Sequence, residues 1–520
     1  MSQLSNEEAR GAVPISLAQS MELAGQNLLN ALAPSQGYLP FFNLRVNADY
    51  AAEYRFGWPA HNLGRWWDAI LRLEEATAFR VPGDLEQAML GNVHRYFENP
   101  DSICIGPNSS DRFELHSLRE GLLALHALVR YRDDAWAKKT GRAMIATLLR
   151  TLRADGSWDF EAFQTYSAHP DRMKRHMDPA GSHGRMIEAL VWFYQATGDS
   201  AALDLAQRSA EYHFANSTQA DGGLNLASKP DHTHSYFGTL RGLLLFGALT
   251  RQHAYIERVA ATYRETVRRL VRESGFTAHD LGEGSGGETS SPGDAAQLAL
   301  WLSLHGYGEF LDDAERLLRV RLLPSQIIES PPLRPAKDDG GDEHARLNER
   351  VIGGYGGCHT EPHGGKQCFT DVTAAGLHTV VDLYRHVVRR TDQGWEVLLH
   401  MNYEAKGVSI RSERAAEAKM IVQLSHGGPL AIRIPGWTPR ESVALEVAGQ
   451  RLGPVFTANF VHLNADRPKG AITLRYALPV RTTSETISGV DYHYQWKGDE
   501  IVGVTPNTDF YPFYPPMGTR

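Results

Sequence analysis

The sequence predicts a two-part, α+β multidomain chain: an (α/α)6 helical hairpin barrel followed by an antiparallel β-sandwich. Three observations lead there. Apolar residues recur at helical spacing from about residue 15 to 390, a paired-helix pattern repeats within that stretch, and period-two alternation takes over after about residue 394. With 520 residues, the chain is too long for one ordinary core. The expected division is a barrel over 1–392 and a sandwich over 393–520.

The helical spacing is plain in HSLREGLLALHALVRY, where Leu118, Leu122, Leu125 and Leu128 form one stripe. Ile187, Leu190, Val191 and Tyr194 form another in RMIEALVWFYQATGD. Each apolar helix ends in a short polar turn and a more amphipathic helix follows. The turns fall near residues 132, 198, 251 and 307, a period of roughly 55–65 residues. One hairpin cannot bury its apolar face alone, so hairpins must stack, either as an open solenoid or as a ring. About twelve helices fit between 15 and 390, enough for six hairpins, and the irregular insertions between repeats favour a ring with its loops gathered at one end.

The second part reads as short alternating strands, among them AKMIVQLSH, LAIRIPGW, SVALEVAG and AITLRYALPV, separated by turn residues at sandwich spacing. The Pro- and aromatic-rich tail, TPNTDFYPFYPPMGTR, is expected to pack back on a domain surface.

Composition narrows the function classes. A net charge of -8 with scattered Lys and Arg gives no reason to expect a nucleic-acid partner. No uninterrupted apolar stretch approaches about eighteen residues, so no membrane span is expected. Three cysteines in so long a chain argue against a disulfide framework, and the first residues show no signal-peptide pattern, so the expected location is cytoplasmic. A homodimer is left open.

Two loop segments carry the unusual chemistry. HDLGEGSGGETSSPGD (279–294) holds Glu283 and Glu288 in a Gly/Ser-rich run that leads into a helix. Such a carboxylate either caps the helix or approaches a bound sugar closely. GGYGGCHTEPHGGKQCFTD (353–371) gathers Cys358, His359, Glu361, His363, Cys368 and Asp371, the thiolate, imidazole and carboxylate types that zinc prefers. The alternative is a Gly-rich loop whose cysteines are small buried hydrophobes. His116, His183, His232 and His234 all sit near predicted helix starts, where free N–H groups suit polar ligands. Trp66 in FGWPAHNLGRWWDAI is either core or a face for a sugar ring.

These segments together resemble the β-L-arabinofuranosidases of glycoside hydrolase families 127 and 146. HNLGRWWDAILRL is similar to that group's early W-x-E-A helix, and AGSHGRMIEALVWFYQATGDSAALDLA to its G-H-x-I-E-A…T-G helix pair. GGETSSPGDAAQLALWLSLHGYGEFLDDAERLL resembles its G-E-T-C segment, and LAIRIPGW its R-I-P-x-W strand. The resemblance implies an (α/α)6 barrel with β-sandwich modules, a cysteine nucleophile held on zinc by one Glu and three Cys, and an upstream glutamate as acid/base. It puts Glu288 at the zinc glutamate, Glu283 at the acid/base, Cys368 in the cysteine pair and His183 at a substrate-contacting histidine. Two thiolates of the pattern are replaced, by Ser290 and Gln367, and Cys358, His359 or His363 are the residues at hand to complete a zinc site with Glu288 and Cys368.

The expected function is therefore a glycoside hydrolase that releases a terminal, L-arabinofuranosyl-like sugar from an oligosaccharide, with either zinc or no cofactor at all. Glu283, Cys368 and Glu288 are its expected catalytic residues. Glu361 or Asp371 stands as an alternative base on water. Two other readings stay open. One is a polysaccharide lyase or sugar epimerase working through His183, His232, His234 and Tyr236, and the other is a degenerate sugar-binding protein.

Overall fold

The computed structural model describes residues 16–47, 49–105, 115–164, 166, 180, 182–224, 232–282, 286–365, 367–464, 469–508 and 510–518. Among them, twelve helices of seven residues or more come before the sandwich. They are α1 (Leu17–Asn30), α2 (Pro59–Ala76), α3 (Gly83–Tyr96), α4 (Leu115–Arg132), α5 (Ala135–Thr151) and α6 (Met186–Thr197). The others are α7 (Ser200–Asn216), α8 (Thr233–Thr250), α9 (His253–Thr262), α10 (Ser290–Leu304), α11 (Leu311–Leu317) and α12 (Thr370–Arg385).

Sequence decides where these helices stop and turn. Gly198, at φ 68°, ends α6, and the Asp199 side chain then accepts from Ala201 N to begin α7. Asp134 starts α5 in the same way by accepting from Ala137 N. At the front of the chain, Ser16 and Gln19 form a reciprocal capping box for α1.

The even-numbered helices form an inner ring. α2 packs on α4, α4 on α6, α6 on α8, α8 on α10, α10 on α12, and α12 returns to α2. The odd-numbered helices lie outside, α5 on α4, α7 on α6, α9 on α8, α11 on α10, and α1 on α12. Burial follows this division. Every residue of α10 from Ser290 to Leu302 is buried, as befits a helix surrounded on all sides. On α5 only one face is buried, with Ala137, Thr140, Gly141, Met144, Ile145 and Leu148 at helical spacing.

The axis of the ring is ionic. Arg65 reaches Glu120 at 3.1 Å, Arg119 reaches Glu120 at 2.8 Å and Glu188 at 3.1 Å, and Arg241 joins Glu188 at 2.9 Å to Asp294 at 2.6 Å. Further along the axis, Asp68 binds Arg72 at 2.8 Å and His378 at 2.5 Å. All of these carboxylates are buried, and removing one partner of such a pair costs about 3–5 kcal/mol because a charge is left alone in a low-dielectric interior. The four arginines of this network come from α2, α4 and α8, so it fixes how these inner helices face each other.

After α12 the chain enters two antiparallel-rich sheets. The five-stranded one runs in the order 455–457, 460–463, 430–433, 394–397, 388–391, and the six-stranded one 403–405, 408–414, 417–424, 472–477, 444–447, 450–452. Burial alternates along strands such as 417–424 and 472–477, and the two sheets share one apolar core, in which Met420 and Leu445 both oppose Leu474. A third sheet, 480–487, 490–497 and 500–505, packs against Phe276 and Val320 together with Phe513 and Tyr514 of the tail. The tail thus packs back, as its composition suggested.

Three small sheets were not foreseen, one of them the pairing of Leu32–Ala33 with Leu39–Pro40. Strands 43–46 and 51–55 pair with 334–335 and 367–369, with Leu44 opposite Cys368 and Asn43 opposite Phe369. A two-stranded ribbon joins Gly287–Glu288 to Cys358–Thr360, with Glu288 opposite Cys358. Among the described residues, no helix is long and apolar enough to cross a membrane.

Candidate active site

The inner helices bring their N-termini together. His61 is the third residue of α2, His116 the second of α4, His232 the N-cap of α8, and Asp371 the second of α12. Ser182 comes shortly before α6, and Glu288 to Ser290 lead into α10. Helix N-termini present unpaired N–H groups and the positive ends of helix dipoles, which favour polar and anionic ligands.

The side chains at this mouth form a closed circuit. Glu288 is held by close contacts from His232 Nε2 and Ser290 Oγ. Cys358, carried opposite Glu288 by the two-stranded ribbon, is hydrogen-bonded to the Glu288 carboxylate and lies in the field of Asp371. Asp371 Oδ2 is 3.1 Å from His61 Nε2, and the His61 ring is 5.5 Å from that of His116. His116 Nε2 is 2.8 Å from Ser182 Oγ and 3.1 Å from Ser235 Oγ. Ser235 Oγ is 2.9 Å from His232 Nδ1, which closes the circuit back to Glu288. One turn deeper, a cavity of about 20 Å³ is lined by Arg65, Arg119, Arg241 and His234, enough for about one water.

Charge at the mouth follows from burial and neighbours. Burial alone would raise the Glu288 carboxyl, but His232, His234 and His279 hold it well below the usual range, so it is a carboxylate. Burial pushes the Cys358 thiol well above its usual range, and the carboxylates of Glu288 and Asp371 add to this. Burial and the Arg65 guanidinium hold His234 well below the usual histidine range. His234 is therefore neutral, donating from Nδ1 to Asp294 while Nε2 accepts from Arg65 at 2.8 Å.

His232, His279 and Glu288 form a group able to hold a metal ion, with ligand atoms all within 4.8 Å of one another. The rings of His232 and His279 stack at 4.3 Å, and His279 Nε2 is 3.8 Å from Glu288 Oε2. Two imidazoles and a carboxylate with a thiol alongside are a donor set that suits zinc. The ribbon depends on Gly286, where a Cβ would lie 2.6 Å from the His359 Cα.

Of the residues singled out in the sequence, the structure assembles Glu288, Cys358, His116, His232 and Asp371. His359 is at the rim, exposed, with its ring 5.0 Å from His279. His234 lies one step below. Glu283 falls outside the described residues.

The rest lie elsewhere, each for a physical reason. Cys368 is on the opposite face of its strand from Phe369, so it points into a separate small core with Leu44 and Tyr54, and burial pushes its thiol up to about 12. His183 turns outward, accepting from Trp158 N at 3.2 Å and meeting His213 at 2.9 Å, so both ring nitrogens are committed. Trp66 is fully buried and donates to Leu28 O at 3.1 Å, which makes it core between α1 and α2 and not a sugar platform. Tyr236 is fully buried, facing Ser217 O on the outer layer. His363 packs on Tyr492 of the third sheet, and the neighbouring Glu361 is exposed.

Two site residues escaped the sequence reading. His61 stands just after Pro59 at the start of α2, the same placement that marked His116 and His232. His279 opens the very segment that carries Glu288.

No protein-family model matches the chain, and no curated protein matches it in sequence. Solved structures do match its fold. A GH127 β-L-arabinofuranosidase from Geobacillus stearothermophilus T6 aligns over 85% of this chain and 76% of its own, with 14% identity and a TM-score of 0.56. A GH127 β-arabinofuranosidase aligns over 96% and 83%, with 12% identity and a TM-score of 0.60. A structure described as a glycoside hydrolase aligns over 91% and 84%, with 13% identity and a TM-score of 0.54. The chain therefore shares the helical-ring and sandwich fold of the GH127 β-L-arabinofuranosidases.

Proposed function

We propose that the chain is a glycoside hydrolase that removes a terminal sugar from an oligosaccharide, with L-arabinofuranosides as the first substrate class to try. The observation that carries this reading is the Glu288–Cys358 pair, set by a two-stranded ribbon into a ring of helix N-termini on the fold of such enzymes. Cys358 takes the nucleophile's place that the sequence had given to Cys368. Its sulfur attacks the anomeric carbon, and the bond to the leaving oxygen breaks with its electron pair going to that oxygen. Water then displaces the sulfur and frees the sugar.

His232, His279 and Glu288 would hold a zinc ion, which when bound supplies the positive charge that keeps a neighbouring thiol deprotonated. His116, Ser182 and Ser235 supply hydrogen-bonding groups of the kind that fix sugar hydroxyls. The test is hydrolysis of a panel of p-nitrophenyl glycosides that includes the L-arabinofuranosides, together with elemental analysis of protein purified without chelator. Release of p-nitrophenol from one glycoside supports the reading, and no release from any contradicts it.

A second reading is favoured by the number of imidazoles at the mouth. Histidine acid–base chemistry on a uronate would make the chain a lyase or an epimerase. An unsaturated, ultraviolet-absorbing product from uronate polymers would decide for a lyase.

A further inference from the structure

We infer that His61, oriented by Asp371, is the group that passes protons to and from the sugar oxygens at this site, an inference that rests on the glycosidase reading above. Three observations carry it. The first is the bond between His61 Nε2 and Asp371 Oδ2 at 3.1 Å, both side chains being buried. A carboxylate at Nε2 sets the tautomer, with Nε2–H donating to Asp371 and the lone pair left on Nδ1.

The second observation is that His61 Nδ1 is buried and has no hydrogen-bond partner among the described residues. An unpaired buried nitrogen costs about 1–3 kcal/mol, so it persists where something that enters the site completes it. Two asparagines carry unpaired buried atoms as well. Asn62, beside it on α2, has a buried Oδ1 with no partner, and so does Asn43, both of whose side-chain polar atoms are buried and unpaired. Asn43 pairs with Phe369, and strand alternation sets both on the face away from the Cys368 core.

The third is position. His61 lies between Asp371, which neighbours Cys358, and His116, which shares Ser235 with His232. It is in the circuit, across from Glu288. The Trp58 ring lies 5.7 Å from that of His61, on a residue at φ 46° that is the α2 N-cap.

The proton balance closes over one turnover. His61, neutral with its Nδ1 lone pair free, first takes the proton that the Cys358 thiol gives up; as the glycosidic C–O bond breaks and the C–S bond to Cys358 forms, that proton passes from Nδ1 to the leaving oxygen. As water forms the new C–O bond and the C–S bond breaks with its pair returning to sulfur, the water proton goes to Nδ1. His61 and Cys358 end as they stood once the thiol had given up its proton, and Asp371 holds the ring through Nε2 throughout.

The experiment compares His61→Gln, Asp371→Asn and Glu283→Gln with wild type on two L-arabinofuranosides, one with a methyl and one with a 2,4-dinitrophenyl leaving group. Thermal unfolding checks that each variant is folded. A poor leaving group needs its proton and a good one does not. His61→Gln is therefore expected to lower kcat/KM on the methyl glycoside by about 10²–10⁴-fold and on the dinitrophenyl glycoside by far less. Asp371→Asn should show the same split with a smaller loss. Equal losses on both substrates, or the split appearing in Glu283→Gln and not in His61→Gln, would overturn the assignment. A wild type that cleaves neither glycoside, nor any other in the panel, removes the glycosidase reading itself, a different failure.

Discussion

Gly64→Ala is the substitution that tests most sharply how the mouth is held together. Gly64 is on α2, and a Cβ there would sit 1.7 Å from the Glu120 carbonyl oxygen and 2.3 Å from its carbon, both backbone atoms of α4. A carbon and an oxygen need about 3.2 Å, so the two helices must move apart by roughly 1.5 Å, and no side chain can give way instead. That movement strains the Arg65–Glu120 pair at 3.1 Å and pulls His61 on α2 away from His116 on α4. Overpacking costs about 1–3 kcal/mol, and loss of a buried ion pair adds to it, so a total of about 3–5 kcal/mol is expected. In thermal unfolding this is a fall in Tm of roughly 3–6 °C, with activity reduced at temperatures where the variant is still folded. Gly91→Ala is the control. Gly91 is exposed on α3 with nothing within 4 Å of its Cβ position, and alanine there should add about 0.5–1 kcal/mol. A Gly64→Ala protein that melts with wild type and keeps its activity would refute the close approach of α2 and α4.

Other expectations follow from the same geometry. Cys358→Ser should abolish turnover, whereas Cys368→Ser should retain it and lose about 1–2 kcal/mol of stability by placing a hydroxyl in an apolar core; the reverse result would return the nucleophile to Cys368. His232→Ala and His279→Ala should each lose bound zinc on dialysis, and about one zinc per chain in either variant would contradict the ligand set. Stability should fall on acidification below neutrality. Burial holds His126 down to about 3 and His400 down to about 4, while both titrate near 6.5 when unfolded. The unfolded chain therefore binds protons first, and this contribution is complete above about 6.5 and declines as pH falls toward the folded values. For His400 the full loss is roughly 3 kcal/mol, and identical urea midpoints at pH 7 and pH 5 would contradict it.

The fold was legible because its signals are local and repeated. The stripes in α4 and α6 and the polar turns at Asp134 and Gly198–Asp199 are written at fixed spacing, and so is the alternation from 408 to 477. Much of the site was legible from helix starts. His116, His232 and Asp371 stand at N-termini, and N-termini are what the ring brings together. Strand facing was not legible. Cys368 and Cys358 both lie in one Gly-rich segment, and only pairing decides between them, Cys368 opposite Leu44 and Cys358 opposite Glu288. His183 was misplaced, and Trp66 left open between core and sugar face, for a related reason, since spacing marks a residue as near a helix start or on an apolar face without fixing its rotamer. The ionic axis was also hidden, because Arg65, Glu120, Glu188 and Arg241 read as ordinary charges until the helices are set around one another.

The most direct test asks which residue carries the sugar. Incubation with an epoxide inhibitor of L-arabinofuranose configuration, followed by proteolysis and mass spectrometry, reports the attacking side chain. One label per chain on the peptide containing Cys358, absent in Cys358→Ser, is the expected result. A label on Cys368 or on a carboxylate, with Cys358 unmodified, would contradict the account.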